Sequence, residues 1–93
     1  MIESFGDKET ELIYNQIKSK KLPIDIQNRA LVKLMMIDSA ESENDLRVPI
    51  SNNLEKLKGN LKNYWSIRIN DQWRIIFQFV SGKANDVKII DYH

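Results

Sequence analysis

The sequence predicts an α+β fold in which two N-terminal helices pack on one face of a small, mostly antiparallel, twisted β-sheet. Apolar residues recur at helical spacing in the region 7–40, and beyond residue 54 they alternate with polar residues as in half-buried strands. Turn-forming residues separate the alternating runs, which indicates hairpins. With 93 residues the chain has the size of one small domain, and we predict a single domain over 1–93.

The first predicted helix begins at Asp7 and ends in the stretch 19–21. Ile13 and Ile17 fall on one side of it, and charged residues dominate the other side. The helix is expected to end before Pro23, because the residue that precedes a proline is pushed away from helical backbone angles.

The second predicted helix covers residues 25–40, with Asp25 as its N-terminal cap. Its apolar stripe contains Ile26, Ala30, Leu31, Leu34, Met35 and Ile37. A stripe of this width is typical of a helix that packs on a sheet, and we interpret the methionines as core residues. The segment 41–53 is polar and contains Pro49, so it is predicted to be an irregular connection of the kind that often carries functional residues.

Four strands are predicted, over residues 2–5, 64–69, 72–80 and 87–92. Asn70 and Asp71 form a tight hairpin link between the second and third of them, and the stretch 81–83 forms another turn. Alternation assigns side chains to two faces of the sheet. The face that the helices bury is predicted to hold Trp65, Ile67, Ile69, Trp73, Ile75, Phe77 and Phe79.

The opposite face of the predicted sheet carries polar and charged residues. Ser66, Arg68 and Arg74 point to it, and on the last strand Tyr92 points to the opposite side from Asp91. We therefore expect the two arginines and the C-terminal end of the chain to lie within reach of the open side of one sheet.

The composition narrows the classes of function. The chain has no cysteine, which excludes disulfides and thiolate metal sites and suits a reducing cytoplasm, and its single histidine argues against a zinc site. No metal and no cofactor are expected. The N-terminus lacks the pattern of a signal peptide, and no segment is long and apolar enough to cross a bilayer, so we expect a cytoplasmic protein without membrane contact.

Charge is distributed unevenly along the chain. Residues 1–53 carry seven Lys or Arg and nine Asp or Glu, a net of −2, whereas residues 54–93 carry seven and four, a net of +3. The basic part also contains Tyr64, Trp65, Trp73 and Tyr92. Cations interleaved with aromatic residues suit a polyanion with bases that stack, such as RNA. For the two tryptophans, however, burial in the core is the preferred interpretation.

The chain ends on Asp91-Tyr92-His93, and this histidine is the only side chain whose ordinary pKa lies near neutrality. RNA is cut without a metal when a base deprotonates its 2′-hydroxyl, an acid protonates the leaving oxygen and a cation stabilises the extra charge on phosphorus. His93 suits the acid or the base, and Tyr92 can donate a proton or stack on a base. Arg74 can bind the phosphate through two nitrogens, and Lys58 can bring a second charge from a flexible loop.

Several segments together resemble a known family. They are Met1-Ile2-Glu3-Ser4-Phe5, residues 36–40, Leu57-Lys58-Gly59, residues 64–67, residues 70–77 and the terminal Asp91-Tyr92-His93. On these segments, which span nearly the whole chain, the sequence resembles the HigB (host inhibition of growth) group of the RelE/ParE superfamily of bacterial toxins.

The resemblance implies a ribosome-dependent messenger-RNA endonuclease that acts in the decoding site and is neutralised by an antitoxin with a helix-turn-helix domain. It places Asp91, Tyr92 and His93 on the active-site tail of the family, Arg74 on its phosphate-contacting arginine and Lys58 on its loop lysine.

One position departs from the family pattern, since some members carry a histidine where this chain has Glu55. A carboxylate accepts a proton but is repelled by a phosphate, so Glu55 is either an acid-base residue of the site or a solvated charge at a strand edge. Lys56 and Arg68 join the predicted RNA-binding residues, although Arg68 is equally compatible with a surface cation. The residues leave open which group is the acid and which is the base.

Two other functions fit the same chain. A toxin of this fold that binds and inhibits DNA gyrase needs no tyrosine and histidine at its end, so it should tolerate Tyr92→Phe and His93→Gln. A protein-interaction module whose sheet pairs with a partner segment should form a tight complex without arresting growth when it is expressed alone.

Overall fold

The computed structural model describes residues 1–92 and contains two helices followed by a four-stranded antiparallel sheet. The elements are α1 (Lys8–Tyr14), α2 (Ile24–Ser39), β1 (Glu55–Lys56), β2 (Trp65–Arg68), β3 (Trp73–Val80) and β4 (Lys83–Asp91). The strands lie in the order β1-β2-β3-β4, and each pairs with its neighbour in the chain. The predicted α+β fold is confirmed.

The predicted first strand is reduced to two isolated bridges. Ile2 and Phe5 pair in parallel with Ala84 and Val87 of β4. Between the bridges β4 bulges at Asp86, whose φ is 55° and whose amide donates to the Ser4 hydroxyl over 2.8 Å. Because that amide bonds to a side chain, the N-terminal segment cannot form a continuous ladder at this point.

Helix α1 ends earlier than its apolar pattern predicts. Gln16 adopts a left-handed backbone with φ of 63°, its amide donates to the carbonyl of Ile13, and the Ile17 amide donates to the carbonyl of Leu12. These two bonds form a Schellman motif, which terminates a helix. Ile17 therefore lies beyond the helix and is 54% exposed, so its predicted burial was wrong.

Helix α2 covers nearly the predicted range. Its buried residues are Ile26, Ala30, Leu34 and Ile37. The predicted cap was wrong, because Pro23 occupies the capping position and Asp25 lies within the first turn. Met36 packs against the core, whereas Met35 is 56% exposed and does not belong to the buried stripe.

The connection between α2 and β1 is more regular than predicted. It contains two short 3-10 helices, Glu43–Arg47 and Ile50–Asn52. Asn52 is fully buried and donates to the Leu46 carbonyl over 3.1 Å within the connection. It also accepts a hydrogen bond from the ammonium of Lys33 on α2 over 2.6 Å, which fixes the connection against that helix. The position of this connection determines where the residues that follow it, Asn53 and Glu55, lie relative to the sheet.

The two faces of the sheet follow the predicted alternation. Ile67, Ile69, Ile75 and Phe77 are buried in the core beneath the helices. Trp65, Trp73 and Phe79 are partly buried and pack against that core. Among residues 1–92, neither helix has the length and apolar character that a bilayer-spanning segment needs.

Candidate active site

The guanidinium of Arg74 lies at the centre of the candidate site. Strand β3 points Arg74 away from the helices, because its neighbours Trp73 and Ile75 pack on the core side. Alternation placed Arg74 on the open side of the sheet, yet only 7% of its side chain is exposed. One terminal nitrogen, Nη1, lies 2.8 Å from Oε1 of Glu55, and the other, Nη2, donates to the carbonyl of Asn53 over 2.5 Å.

The carbonyl of Asn53 reaches Arg74 because of a local backbone conformation. Asn53 follows the 3-10 helix Ile50–Asn52 and has a left-handed backbone with φ of 46°. Asparagine adopts this conformation more readily than most residues. Asn53 was not among the predicted site residues, although it belongs to the connection 41–53, which was predicted to be of the kind that often carries functional residues.

Tyr92 covers the guanidinium from the other side. Arg74 lies opposite Ile90 in the pairing of β3 and β4, so Tyr92, two residues later, is its diagonal neighbour on the same face. The guanidinium carbon lies 5.3 Å from the centroid of the Tyr92 ring, within the range of a cation–π contact. Tyr92 itself is 39% exposed, so its outer surface is accessible to a ligand.

Gln72 fixes the C-terminal end of the chain to the sheet. Its backbone carbonyl accepts a hydrogen bond from the Tyr92 amide over 2.6 Å, and its side-chain amide donates to Oδ2 of Asp91 over 3.1 Å. Asp91 lies opposite Trp73 and therefore on the other face from Arg74. His93, the predicted acid-base residue, lies outside the described residues. The contribution of Gln72 was missed, because nothing in its sequence context distinguishes it from another turn residue.

A cavity of about 400 Å³ adjoins this cluster. Its lining residues are Glu55, Lys56, Leu57, Lys58, Leu61 and Tyr92. Lys58 is exposed and precedes Gly59, whose φ of 66° turns the chain into a short 3-10 helix. The ammonium of Lys56 lies 5.1 Å from the centroid of the Trp65 ring. The structure therefore brings Glu55, Lys56, Lys58 and Tyr92 around one open space.

Arg68 is separated from this space although it lies directly opposite Arg74 in the pairing of β2 and β3. It forms an ion pair with Asp71 in the hairpin, and it does not line the cavity. Like charges directly opposite each other on neighbouring strands repel. Asp71 pairs with Arg68 and Glu55 pairs with Arg74, so each of the two facing arginines is neutralised by a carboxylate.

The site contains two buried polar atoms without a hydrogen-bond partner among residues 1–92, Ser66 Oγ and Arg74 Nε. Ser66 pairs with Glu55 across β1 and β2, so both atoms belong to the same part of the sheet. Because Nε is buried and both terminal nitrogens are bonded, Arg74 cannot present two free nitrogens to a phosphate in this arrangement. Displacing Glu55 frees Nη1, and a bidentate phosphate must also use the second N–H of Nη2, the nitrogen that bonds to Asn53.

The family model that matches the chain is that of the RelE-like toxin of the type II toxin-antitoxin system HigB, and it covers residues 3–93. The chain belongs to the HigB-like toxins. Membership in a type II toxin-antitoxin family implies a cognate antitoxin.

Two curated relatives support this membership. The HigB-like chain is 46% identical over 85 residues to "Toxin HigB-1" of Vibrio cholerae serotype O1, and the match covers 90% of each sequence. It is 36% identical over 93 residues to "Endoribonuclease HigB" of Proteus vulgaris, and this match covers both sequences completely. The chain is therefore a full-length homologue of an endoribonuclease.

Solved structures show the same fold. The HigB-like chain superposes on a chain of the YoeB-YefM toxin-antitoxin complex from Staphylococcus aureus with a TM-score of 0.63 at 20% identity, covering 100% of this chain and 98% of that one. It superposes on a mutant of YafQ from E. coli with a TM-score of 0.58 at 11% identity, covering 98% of this chain and 93% of that one. At these identities the likeness concerns the fold alone.

One further tyrosine of this HigB-like toxin, Tyr64, does not line the cavity of the candidate site. Tyr64, one of the aromatic residues of the basic part of the chain, donates to a carboxylate oxygen of Asp86. This hydrogen bond, followed by burial and by the charge of Asp86, raises the pKa of Tyr64 above its ordinary value.

Among residues 1–92, no three His, Asp or Glu side chains are grouped so that they could hold a metal ion.

Proposed function

We propose that this HigB-like toxin is an endoribonuclease that cuts messenger RNA in the decoding site of the ribosome and thereby inhibits translation. The full-length likeness to "Endoribonuclease HigB" supports the reaction class. The observation that carries the proposal is the position of Tyr92, which lies over the guanidinium of Arg74 while it lines one cavity with Glu55 and Lys58. A proton donor, a carboxylate and two lysines thus line one open space of about 400 Å³, and the guanidinium of Arg74 lies against the Tyr92 ring beside it.

The proposed reaction is an attack of the RNA 2′-hydroxyl on the adjacent phosphorus. The new O–P bond forms as the bond to the 5′-oxygen of the next nucleotide breaks, which leaves a cyclic phosphate and a 5′-hydroxyl. A base takes the proton of the 2′-hydroxyl, and an acid gives a proton to the leaving oxygen. The protein supplies these groups from its own side chains, so the proposed mechanism requires no cofactor.

Arg74 stabilises the extra negative charge on the phosphate oxygens in the transition state. Its guanidinium is held by the Asn53 carbonyl and by the ring of Tyr92, so its position is fixed before RNA arrives. The phosphate takes the place of the Glu55 carboxylate on Nη1, an exchange that is feasible because 44% of the Glu55 side chain is exposed. Lys58 adds a second positive charge from the loop at the rim of the cavity.

The acid and the base are proposed to come from the C-terminal tail and from β1. His93 follows Tyr92 directly in sequence and is proposed as one of the two proton-transfer groups. The Tyr92 hydroxyl is proposed to donate a proton to the leaving oxygen, and its ring also offers a surface on which a base can stack. Glu55 is the alternative base, because its carboxylate lines the cavity beside Tyr92.

We further propose that Asp91, with Gln72, positions Tyr92 and His93, and that the chain acts in the cytoplasm as a single domain. Its proposed partners are the ribosome with its message and an antitoxin that carries a helix-turn-helix domain. Lys56 and Arg68 are proposed to contact RNA phosphates outside the reacting group.

The deciding experiment adds the purified protein to ribosomes stalled on a defined message and maps new 5′ ends by primer extension. Cuts within the decoding-site codon are expected with the wild type, and they should be lost with His93→Gln and strongly reduced with Tyr92→Phe. The rate should depend on a group that titrates near neutrality, so a flat rate between about pH 5.5 and 8 contradicts a role of His93 in proton transfer. Intact message with all proteins, together with growth arrest by both variants, would favour a gyrase-binding toxin instead.

A further inference from the structure

A second group of cations lies next to the candidate active site. Arg68 stands directly opposite Arg74 on the same face of the sheet. Arg29 and Lys33 lie four residues apart on α2, so they share one face of that helix. Lys33 is only half-exposed, and its ammonium donates to the side-chain oxygen of Asn52 over 2.6 Å.

Covalent and hydrogen-bonded links connect this group to Arg74. Asn52, which binds Lys33, is fully buried, and the next residue, Asn53, accepts the hydrogen bond of Arg74 through its carbonyl. The 3-10 helix that ends at Asn52 also packs against β2, the strand that carries Arg68. Lys33 and the strand that carries Arg68 therefore both contact the same short segment, and the residue that follows this segment bonds to the proposed phosphate-binding arginine.

The positive charge of this group is poorly compensated by the protein. Among residues 1–92, neither Arg29 nor Lys33 forms an ion pair, and the only carboxylate bound to Arg68 belongs to Asp71, whose side chain is 99% exposed. Burial, followed by the positive charges of Arg29 and Arg68, lowers the pKa of Lys33 below its ordinary value. Cations kept close together at the expense of mutual repulsion are typical of a surface that binds an anion.

We propose that Arg29, Lys33 and Arg68 form a second phosphate-binding surface, which holds the backbone of the RNA strand whose scissile phosphate lies at Arg74. This inference rests on the proposed nuclease function and adds the contacts that hold the strand. A strand that passes Arg74 carries further phosphates on both sides of the reacting one. Arg68 lies opposite Arg74 across β2 and β3, and Lys33 is bonded to the residue that precedes Asn53, so both cations are available to such phosphates. Such contacts raise affinity for any sequence and do not select bases.

The test measures binding of an RNA that cannot react. A fluorescein-labelled single strand of about 12 nucleotides with 2′-O-methyl groups lacks the attacking hydroxyl. Its affinity is measured by fluorescence anisotropy over a series of salt concentrations for the wild type and for the double variant Arg29→Gln/Lys33→Gln. The matched control is Lys8→Gln/Lys20→Gln, which removes the same charge from exposed positions on α1 and in the α1–α2 connection.

The Arg29→Gln/Lys33→Gln variant is expected to bind about tenfold or more weakly at about 0.1 M salt, and the slope of log affinity against log salt should fall by about 1.4, since each phosphate contact on a single strand contributes about 0.7. The control should keep the wild-type slope. Equal slopes for wild type and double variant, equal losses in variant and control, or no binding by the wild type at low salt would each overturn the proposal.

The cleavage assay on stalled ribosomes separates this inference from the proposed function. If the double variant has a changed salt slope but the wild type cuts no message, the phosphate-binding surface is supported and the nuclease function is rejected. Cleavage by the wild type with an unchanged slope would retain the nuclease and reject the surface. If only ribosome binding or antitoxin binding weakened in the double variant, while the slope on RNA stayed the same, the cations would serve another partner and the proposal would fail.

Discussion

Arg74 and Arg68 stand opposite each other on the same face of the sheet, yet their surroundings differ. The side chain of Arg74 is 7% exposed and that of Arg68 is 34% exposed. Arg74 bonds to Glu55 and to a backbone carbonyl and lies under the ring of Tyr92, whereas Arg68 bonds to an aspartate at the tip of a hairpin. The difference arises from the segments around each arginine and not from their strand positions.

The contrast shows two ways in which the protein holds a cation that is proposed to bind RNA. A buried guanidinium with fixed partners has lost most of its conformational freedom before the ligand binds, which favours precise stabilisation of a transition state. An exposed cation with a weak surface ion pair contributes little to stability and exchanges its partner easily. We therefore expect Arg74 to affect chemistry and Arg68 to affect affinity.

The largest effect is expected from Arg74→Gln. Cleavage should fall by about 1,000-fold, because a fixed donor to the transition-state charge is lost. The free energy of unfolding, measured by urea denaturation, should fall by about 1–3 kcal/mol, because a buried guanidinium loses its hydrogen bond to the Asn53 carbonyl and its contact with the Tyr92 ring. Arg68→Gln is the matched control and should change stability by less than about 0.5 kcal/mol. Similar losses of cleavage in both variants would remove the distinction between the two arginines.

Tyr92→Phe is expected to lower cleavage by about 100-fold without lowering stability. The ring of phenylalanine preserves the contact with Arg74, but the hydroxyl that is proposed to protonate the leaving oxygen is absent. Tyr92→Leu removes the aromatic ring as well and should lower the free energy of unfolding by about 0.5–1 kcal/mol. Full activity of Tyr92→Phe would limit Tyr92 to stacking on a base.

Glu55→Gln is expected to raise the affinity for the 2′-O-methyl RNA by about threefold to tenfold, because no carboxylate then competes with phosphate for Arg74. Asp71→Asn makes the same change of charge beside Arg68 and should raise affinity less, since the Asp71 side chain is almost fully exposed. Equal gains would show that only the net charge of the protein matters and that the pairing of Glu55 with Arg74 has no special effect on affinity.

The smallest effect is expected on the titration of Lys33. Arg68→Gln removes one of the positive charges that lower the pKa of Lys33, so this pKa should rise towards its ordinary value, 10.5, when followed by NMR. A lysine with a lowered pKa favours the folded state above its ordinary pKa, and this contribution is lost as the pH falls through the lowered value. The stability of Arg68→Gln should therefore rise less steeply over this alkaline range, and an unchanged Lys33 pKa would place Arg68 too far away to belong to the phosphate surface.

Some parts of the site could be predicted from particular residues. Alternation along β3 correctly placed Arg74 on the face opposite the core residue Ile75, and the C-terminal end of the chain was expected within reach of that face. The burial of Arg74 could not be predicted, because it depends on Asn53 and Glu55, which approach from another strand and from a connection.

The predicted C-terminal end of α1 was wrong for a local reason. Gln16 adopts the left-handed conformation that usually indicates glycine or asparagine, so the sequence contains no stop signal where α1 ends. Because Ile17 has the spacing of a residue on the apolar side of the helix, the helix was predicted to extend past it, whereas Ile17 lies beyond the helix and is exposed. In α2, by contrast, the stripe around Ala30 and Leu34 packs on the sheet, and the pattern and the structure agree.

The sequence by itself determined the order of helices and strands, the two faces of the sheet and the family, because side-chain periodicity and short motifs are local properties of the chain. Only the tertiary structure decided that Glu55 binds Arg74, that Gln72 fixes the tail, and that Lys33 bonds to Asn52. These contacts join residues far apart in sequence, and their geometry depends on how the connection 41–53 folds back onto the sheet. Local sequence patterns carry no information about the distances between such residues. Those distances determine whether a hydrogen bond forms and how strongly two charges interact.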